Sequence, residues 1–331
     1  MRYGLPYKGS KNLIAAKIVA ELPAAETFVD LFCGGGAVTH AAMLSGKYDR
    51  FIMNDIDGSV VELFAAAVRG KYRDEKRWIS REDFFKLKDT DAYVRLCWSF
   101  GNNSSSYLYS KDIEPWKKAL WYARRLGDNS LLREMGIESD GSKCNIRKHV
   151  TECREKYAAW YGKQVNCKYM QDLESLERLQ SLQSLQSLEH LQSLQSLESL
   201  ESLERLERLQ SLESLERLES LERLQSFSMD YAGVPIPEDA VVYCDIPYIG
   251  TTQDYRQGAK RFDHERFYEW AAARDDVYIS EYTMPEPFVE VINIDKQVLS
   301  TSNGASGMTK ERLYTTRATL AKHSPYLEGF I

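Results

Sequence analysis

The chain of 331 residues contains no run of about 18 apolar residues, so no membrane-spanning helix is expected. Its opening stretch, MRYGLPYKGSKN, lacks the apolar centre of a secretory signal, so no leader is expected. The six cysteines (Cys33, Cys97, Cys144, Cys153, Cys167 and Cys244) form no CxxC and no framework spacing. That argues against a disulfide-stapled secreted fold and predicts a reducing, cytoplasmic setting. Cys144, His149, Cys153 and Cys167 fit no common zinc spacing, so no metal is expected there. Neither glycine nor proline occurs between residues 173 and 224, so no turn is signalled across that span.

Positive charge is also short, with a net of −6 overall. The deficit is local. Residues 171–226 hold 12 acids against 5 arginines, a net of −7, which leaves +1 for the remainder. Residues 111–170 carry 13 Lys/Arg against 8 Asp/Glu. A mildly basic region therefore precedes one strongly acidic segment, and nucleic acid stays open as a partner.

What is present centres on Val241-Val242-Tyr243-Cys244-Asp245-Ile246-Pro247-Tyr248. A short apolar run of strand type ends in an acid, a proline and an aromatic. Such a strand tip offers a carboxylate acceptor, a backbone carbonyl, a rigid turn and a flat stacking surface. In an open α/β sheet, ligands bind beyond the carboxyl ends of the strands. These groups suit a planar base bearing an exocyclic amine.

Upstream, Tyr7-Lys8-Gly9-Ser10-Lys11-Asn12 precedes an amphipathic helix with Leu13, Ile14, Ile18 and Leu22 on one side and Ser10 as its expected N-cap. Thr27–Phe32 reads as a strand, followed by Cys33-Gly34-Gly35-Gly36 and a small-residue helix from Ala37 to Leu44. Strand, glycine turn and helix let a backbone approach a nucleoside cofactor closely. The dinucleotide fingerprint wants a third glycine where Thr39 stands, which argues against NAD. A second strand, Arg50–Asn54, ends in Asp55, placed to accept both ribose hydroxyls. Asp57 is the alternative, as cap of a helix over Gly58–Arg69.

From about Tyr72 to Tyr169 the strand/helix alternation is lost and Trp, Tyr and Arg are frequent, with Trp98–Tyr107 at the centre. Such side chains read bases and phosphates or wedge between them, so a recognition domain is expected. Residues 173–224 then place 18 leucines at every third position, with Met170 and Phe227 in phase. Period three fits neither a strand nor a single helical stripe. The Leu, Gln, Glu and Arg content favours an α-rod, with a 3₁₀-helix or a compact coil as alternatives. An exposed apolar rod would self-associate or meet a partner, and an expanded spacer in a surface loop is the other reading. Beyond it, Asp263 is expected to cap a helix over His264–Arg274, with Phe267 and Trp270 inward. Asp276–Glu281, Val289–Ile294 and Arg312–Thr316 read as further strands, the last two flanking a Ser/Gly/Asn-rich loop.

The ordered set Tyr7-x-Gly-Ser-Lys11, Asp30-Leu-Phe-Cys-Gly-Gly-Gly36, Asn54-Asp55 and Asp245-Ile-Pro-Tyr248 resembles the Dam-like DNA adenine-N6 methyltransferases. The usual Asp-Pro-Pro-Tyr has Ile246 at its first proline here. The resemblance implies a Rossmann-like α/β sheet using S-adenosylmethionine. Catalytic parts would fall at 1–71 and 227–331, a mainly helical recognition domain at 72–170, and the repeat insertion at 171–226. Tyr7, Lys8, Gly9 and Lys11 would line the cofactor pocket. Asp30, Phe32, Cys33 and the turn Gly34, Gly35, Gly36 would hold the methionine end. Asp55 and Ile56 would meet the nucleoside, and Asp230 would also face the cofactor. Asp245 and the Ile246 carbonyl would receive the amine, with Pro247 fixing the turn and Tyr248 stacking on a flipped adenine in double-stranded DNA. Direct in-line attack would need no metal and no thiol nucleophile. A bacterial or phage-encoded protein of restriction-modification type is implied. Cytosine-N4 methylation, and a scaffold with a vestigial methylase half, remain alternatives.

Overall fold

The computed structural model describes residues 3–138, 156–164, 223–249, 262–299 and 306–323. Most of the triplet repeat, with Cys144, His149, Cys153 and Cys167, lies outside these residues. The chain divides into two compact units, Met1–Arg73 with Glu207–Ile331, and Asp74–Leu206.

The first unit begins with α1 (Ala15–Glu21), β1 (Thr27–Asp30), α2 (Ala37–Ser45), β2 (Arg50–Asn54) and α3 (Gly58–Val68). Helix α1 starts later than its sequence suggests. Lys11 O accepts the N–H groups of Ile14 and Ala15, and Ser10 provides no cap. Leu13 is 58 % exposed, while Ile14, Ile18 and Leu22 are buried. The C-terminal carbonyls of Val19, Ala20 and Leu22 would otherwise lack partners. Lys47 Nζ donates to all three at 2.7–2.9 Å.

The second unit is helical among its described residues. It comprises α4 (Arg81–Leu87), α5 (Ala92–Cys97), α6 (Glu114–Trp121) running into a π turn at Tyr122–Leu126, α7 (Ser130–Glu134) and α8 (156–164). Its aromatic richness is largely core. Trp98, Tyr107, Tyr109, Trp116 and Trp121 are buried. Trp78 stacks on Tyr109 at 5.8 Å and meets Trp98 edge-on at 5.2 Å. Most of the aromatics expected to touch a ligand here therefore hold the unit together instead. Phe85 and Phe100 are exposed, at 49 % and 43 %, and Phe100 sits in a tight loop closed by the bridge between Ser99 and Tyr107. Asn103 Oδ1 accepts the N–H groups of Ser105 and Ser106 within that loop.

The chain returns to the first unit with β3 (Leu224–Phe227), β4 (Val241–Asp245), α9 (His264–Ala272), β5 (Val277–Glu281), β6 (Phe288–Leu299), β7 (Ser306–Thr316) and α10 (Arg317–His323). The seven strands run in the order β3-β2-β1-β4-β5-β7-β6. Strands β1 to β5 are parallel, and β7 enters antiparallel between β5 and β6. Strand β1 is buried at all four positions, as a strand covered on both faces must be. The last triplet of the leucine repeat is thus an edge strand and not helix: Leu224 to Phe227 pair with Phe51 to Asn54. Open backbone groups on β2 take a partner whatever its side-chain period, which overrides helical propensity. One core unites Val29, Leu31, Ile52, Val242, Cys244, Ile246, Phe267, Val277 and Ile279.

Candidate active site

Strand order reverses direction between β1 and β4, the switch point at which doubly wound sheets hold ligands. Both strands end there in an acid, Asp30 on β1 and Asp245 on β4, in adjacent parallel register (Asp30 opposite Tyr243). The sheet therefore brings the glycine turn after β1 and the Asp245–Tyr248 segment after β4 to one edge.

The glycine turn is held by close backbone approach. Gly34 and Gly36 have φ of 46° and 68°, a region costly to residues with a Cβ. A Cβ on Gly35 would lie 2.7 Å from Leu5 O, and one on Gly36 would lie 2.5 Å from the Phe64 ring. Leu5 N donates to Gly35 O at 2.7 Å, and Tyr7 packs its ring on Gly34. His40 Nδ1 accepts Gly4 N–H at 3.0 Å, so the imidazole is neutral. Burial lowers its pKa to about 4. Lys8 and Gly9 are exposed.

Asp30 is 1 % exposed. Thr39 Oγ1 donates to its Oδ2 at 2.7 Å, and Oδ1 is buried without a hydrogen-bond partner. Burial raises its pKa to about 7, against the opposing Thr39 bond. Asp55 accepts Gly34 N–H at 2.8 Å and Asp57 N–H at 2.9 Å, which ties the two strand tips together. Asp57, not Asp55, caps α3 through Ser59 N–H. Ile56, beside it, is 71 % exposed. Asn54 Nδ2 reaches Leu31 O and Met229 O, and its Oδ1 accepts Met229 N–H.

Cys33 is buried with its thiol pKa raised by burial, and Cys244 likewise. Phe32 packs within 5.6 Å of Tyr231, Phe262 and Phe267, in an aromatic cluster beneath the site. Both oxygens of Asp230 are bound by Arg266 at 2.9–3.0 Å on an exposed surface. Its carboxylate is committed to that pair, which holds α9 to the turn Tyr231–Gly233.

On the β4 side, Lys11 Nζ lies 2.7 Å from Asp245 Oδ1, 3.4 Å from Glu311 Oε1 and 4.8 Å from the Tyr248 ring centre. Lys11 is 5 % exposed. Burial pulls its pKa down, but Asp245 and Glu311 outweigh that, so it is raised and stays charged. The Tyr248 hydroxyl donates to Glu311, and its ring meets Tyr282 edge-on at 4.7 Å. Ile246 is buried. Pro247 O receives the His264 Nε2 proton at 2.7 Å. Glu281 accepts Ile249 N–H at 3.2 Å and Tyr282 N–H at 2.7 Å, and burial raises its pKa.

Sequence reasoning missed Glu311, Glu281 and His264. The available signal was an acid inside or ending an otherwise apolar strand run, Tyr278-Ile279-Ser280-Glu281 and Glu311-Arg312-Leu313-Tyr314.

No helix among the described residues is long and apolar enough to cross a membrane. No curated protein matches the chain. Residues 7–158 match the family model for D12 class N6 adenine-specific DNA methyltransferase. That span starts at Tyr7, includes the glycine turn and Asp55, and stops short of β4. With a mixed α/β sheet of seven strands, consistent with a methyltransferase fold, this match over just under half of the chain supports a likeness to the D12 class N6 adenine-specific DNA methyltransferases.

Proposed function

We propose that the protein transfers a methyl group from S-adenosylmethionine to the N6 amine of an adenine turned out of duplex DNA, using the edge between β1 and β4. The observation that carries this reading is the register of those strands. It sets a glycine turn with an orphaned carboxylate oxygen beside the tip Asp245-Ile246-Pro247-Tyr248.

The residues fit the cofactor. Asp30 Oδ1 is a buried acceptor in want of a donor, and an α-ammonium group would satisfy it. The glycine turn admits a close backbone approach, and Asp55 keeps lone pairs for ribose hydroxyls. The exposed Ile56 and Met229 supply apolar surface for a purine. S-adenosylmethionine, when bound, supplies an electrophilic methyl on sulfur.

The chain's own task is to improve a poor nucleophile and position it. The N6 lone pair is delocalised into the ring. Asp245 and the Ile246 carbonyl accept hydrogen bonds from the two amine N–H groups and draw the nitrogen toward tetrahedral geometry, and one proton is released to solvent once the nitrogen is methylated. Tyr248 stacks on the base, worth roughly 1–3 kcal/mol by analogy with other base–aromatic contacts. Positioning and electrostatics carry the step, with direct in-line attack.

The helical unit, with the exposed Phe100–Ser106 loop, is the candidate reader of sequence and phosphates. The leucine repeat is assigned to self-association or to a protein partner. A bacterial or phage-infected cytoplasm is the setting that holds such a substrate. The test is Asp245→Ala, assayed for labelled methyl transfer to unmethylated duplex DNA, with nucleoside mass analysis of the wild-type product. Loss of transfer with cofactor binding retained, and N6-methyladenine as product, are expected. Full activity in the variant overturns the reading.

A further inference from the structure

The segment after β4 is gripped by side chains from four separate places in the fold. Lys11 holds Asp245, His264 at the start of α9 holds the Pro247 carbonyl, Glu281 at the end of β5 holds the Ile249 amide, and Glu311 on β7 holds the Tyr248 hydroxyl. Glu311 stands out. It is 4 % exposed, and a buried carboxylate is costly unless paired. Among the described residues its side chain meets two groups assigned to the reaction: the Tyr248 hydroxyl, and the Lys11 ammonium at 3.4 Å. A sheet position needing only cohesion would be served at least as well by an apolar side chain.

We propose that Glu311 is a positioning residue for methyl transfer: it fixes the plane of the Tyr248 ring and holds the Lys11 ammonium between two carboxylates, so that Asp245 commits Oδ1 to Lys11 and presents Oδ2 to the substrate amine. This rests on the reading of Asp245–Tyr248 as the amine-receiving segment. Glu311 acts through Tyr248 and Lys11. It orients the stacking surface by hydrogen bond and the acceptor by charge. Its removal acts on turnover, because misplacement of about 1 Å at such a site costs on the order of 100-fold in rate.

The test uses the full chain, unmethylated duplex DNA and a labelled methyl donor. Four variants are compared with wild type: Glu311→Gln, Glu311→Leu, Tyr248→Phe and the double variant Glu311→Leu/Tyr248→Phe. Glu311→Leu is expected to lower kcat on the order of 100-fold, with the cofactor Kd within about twofold of wild type. Glu311→Gln, which can still accept the hydroxyl, recovers part of that loss. Tyr248→Phe keeps the ring but loses the bond, so the double variant falls less than the product of the two single effects. Wild-type kcat in both Glu311→Leu and Tyr248→Phe overturns the proposal. Should Glu311→Leu fail to fold, wild-type kcat in both Glu311→Gln and Tyr248→Phe overturns it equally. Asp245→Ala in parallel separates the two levels. If that variant stays active the underlying reading is wrong, whereas a dead Asp245→Ala beside fully active Glu311 variants refutes only the role of Glu311.

Discussion

Lys11 and Asp245 stand 234 positions apart in sequence, yet the ammonium of one lies 2.7 Å from the carboxylate of the other. The N-terminal Tyr7–Lys11 segment is thereby joined to the tip of β4. Replacing Lys11 with Met leaves Asp245 and Glu311 near each other with no cation between them. Asp245 then loses the cation that fixes it, so kcat should fall on the order of 100-fold. Steady-state kinetics of both proteins check this, and an unchanged kcat would disconnect the two groups.

Asp30 predicts a pH effect on stability. Below pH 3.8 the carboxyl is protonated in both folded and unfolded chains. As pH rises toward about 7, the unfolded chain loses the proton while the buried group keeps it. Stability should therefore fall over that window, by up to roughly 4 kcal/mol from this group. Asp30→Asn should flatten the slope in urea titrations taken between pH 4 and 7, and should weaken cofactor binding above pH 7.

His40 acts in the opposite direction. Its pKa drops from 6.5 to about 4 on burial, and the neutral ring accepts the Gly4 amide. As pH falls from 6.5 to 4 the unfolded chain gains a proton that the fold refuses, so stability falls by roughly 3 kcal/mol. His40→Asn keeps an acceptor near the Nδ1 position and removes the titration. Its stability should be flatter than wild type on the acid side of pH 6.5.

Two glycines with similar dihedrals separate steric from conformational cost. Gly36 and Gly46 have φ of 68° and 70°, but an added Cβ meets the Phe64 ring in the first and nothing within 4 Å in the second. Gly46→Ala should cost about 1 kcal/mol from backbone strain alone. Gly36→Ala should cost roughly 2–4 kcal/mol, since overpacking adds to the strain. Thermal melts of the two variants test the difference.

Deletion of residues 173–223 removes 17 triplets and spares β3. Such a protein should retain methyl transfer and show a lower mass in light scattering if the repeat drives association. Extending the deletion through Phe227 strips the edge strand from β2, and the melting temperature should then drop. Equal melting temperatures for both deletions would show that β3 contributes nothing.

The parts of the site that were legible are those written in contiguous sequence. Apolar run, acid and glycine turn specify β1 and its loop. Apolar run, acid, proline and aromatic specify the tip of β4. Glu281 and Glu311 escaped because their meaning depends on which strands lie one and two places from β4 in the sheet, and β7 enters antiparallel only after a long hairpin. Ser10 misled because a local capping preference of about 1 kcal/mol yields to a backbone turned so that Lys11 can reach Asp245. The aromatics of the helical unit misled because composition does not separate core from surface: Trp98 is 1 % exposed, while its near neighbour Phe100 stands 43 % open to solvent.

The side-chain amide of Asn54 clips together Leu31, at the tip of β1, and Met229, where the chain re-enters after its excursion. Both mouths of that excursion are thereby anchored to β2, since α3 follows this strand and β3 lies against it. Gaining or shedding triplets alters how much polypeptide is paid out between the anchors, not where the anchors stand. Even for a featureless tether, each doubling in length costs only about 0.6 kcal/mol in closure entropy. Variants with fewer or more triplets should therefore transfer methyl groups at nearly the wild-type rate.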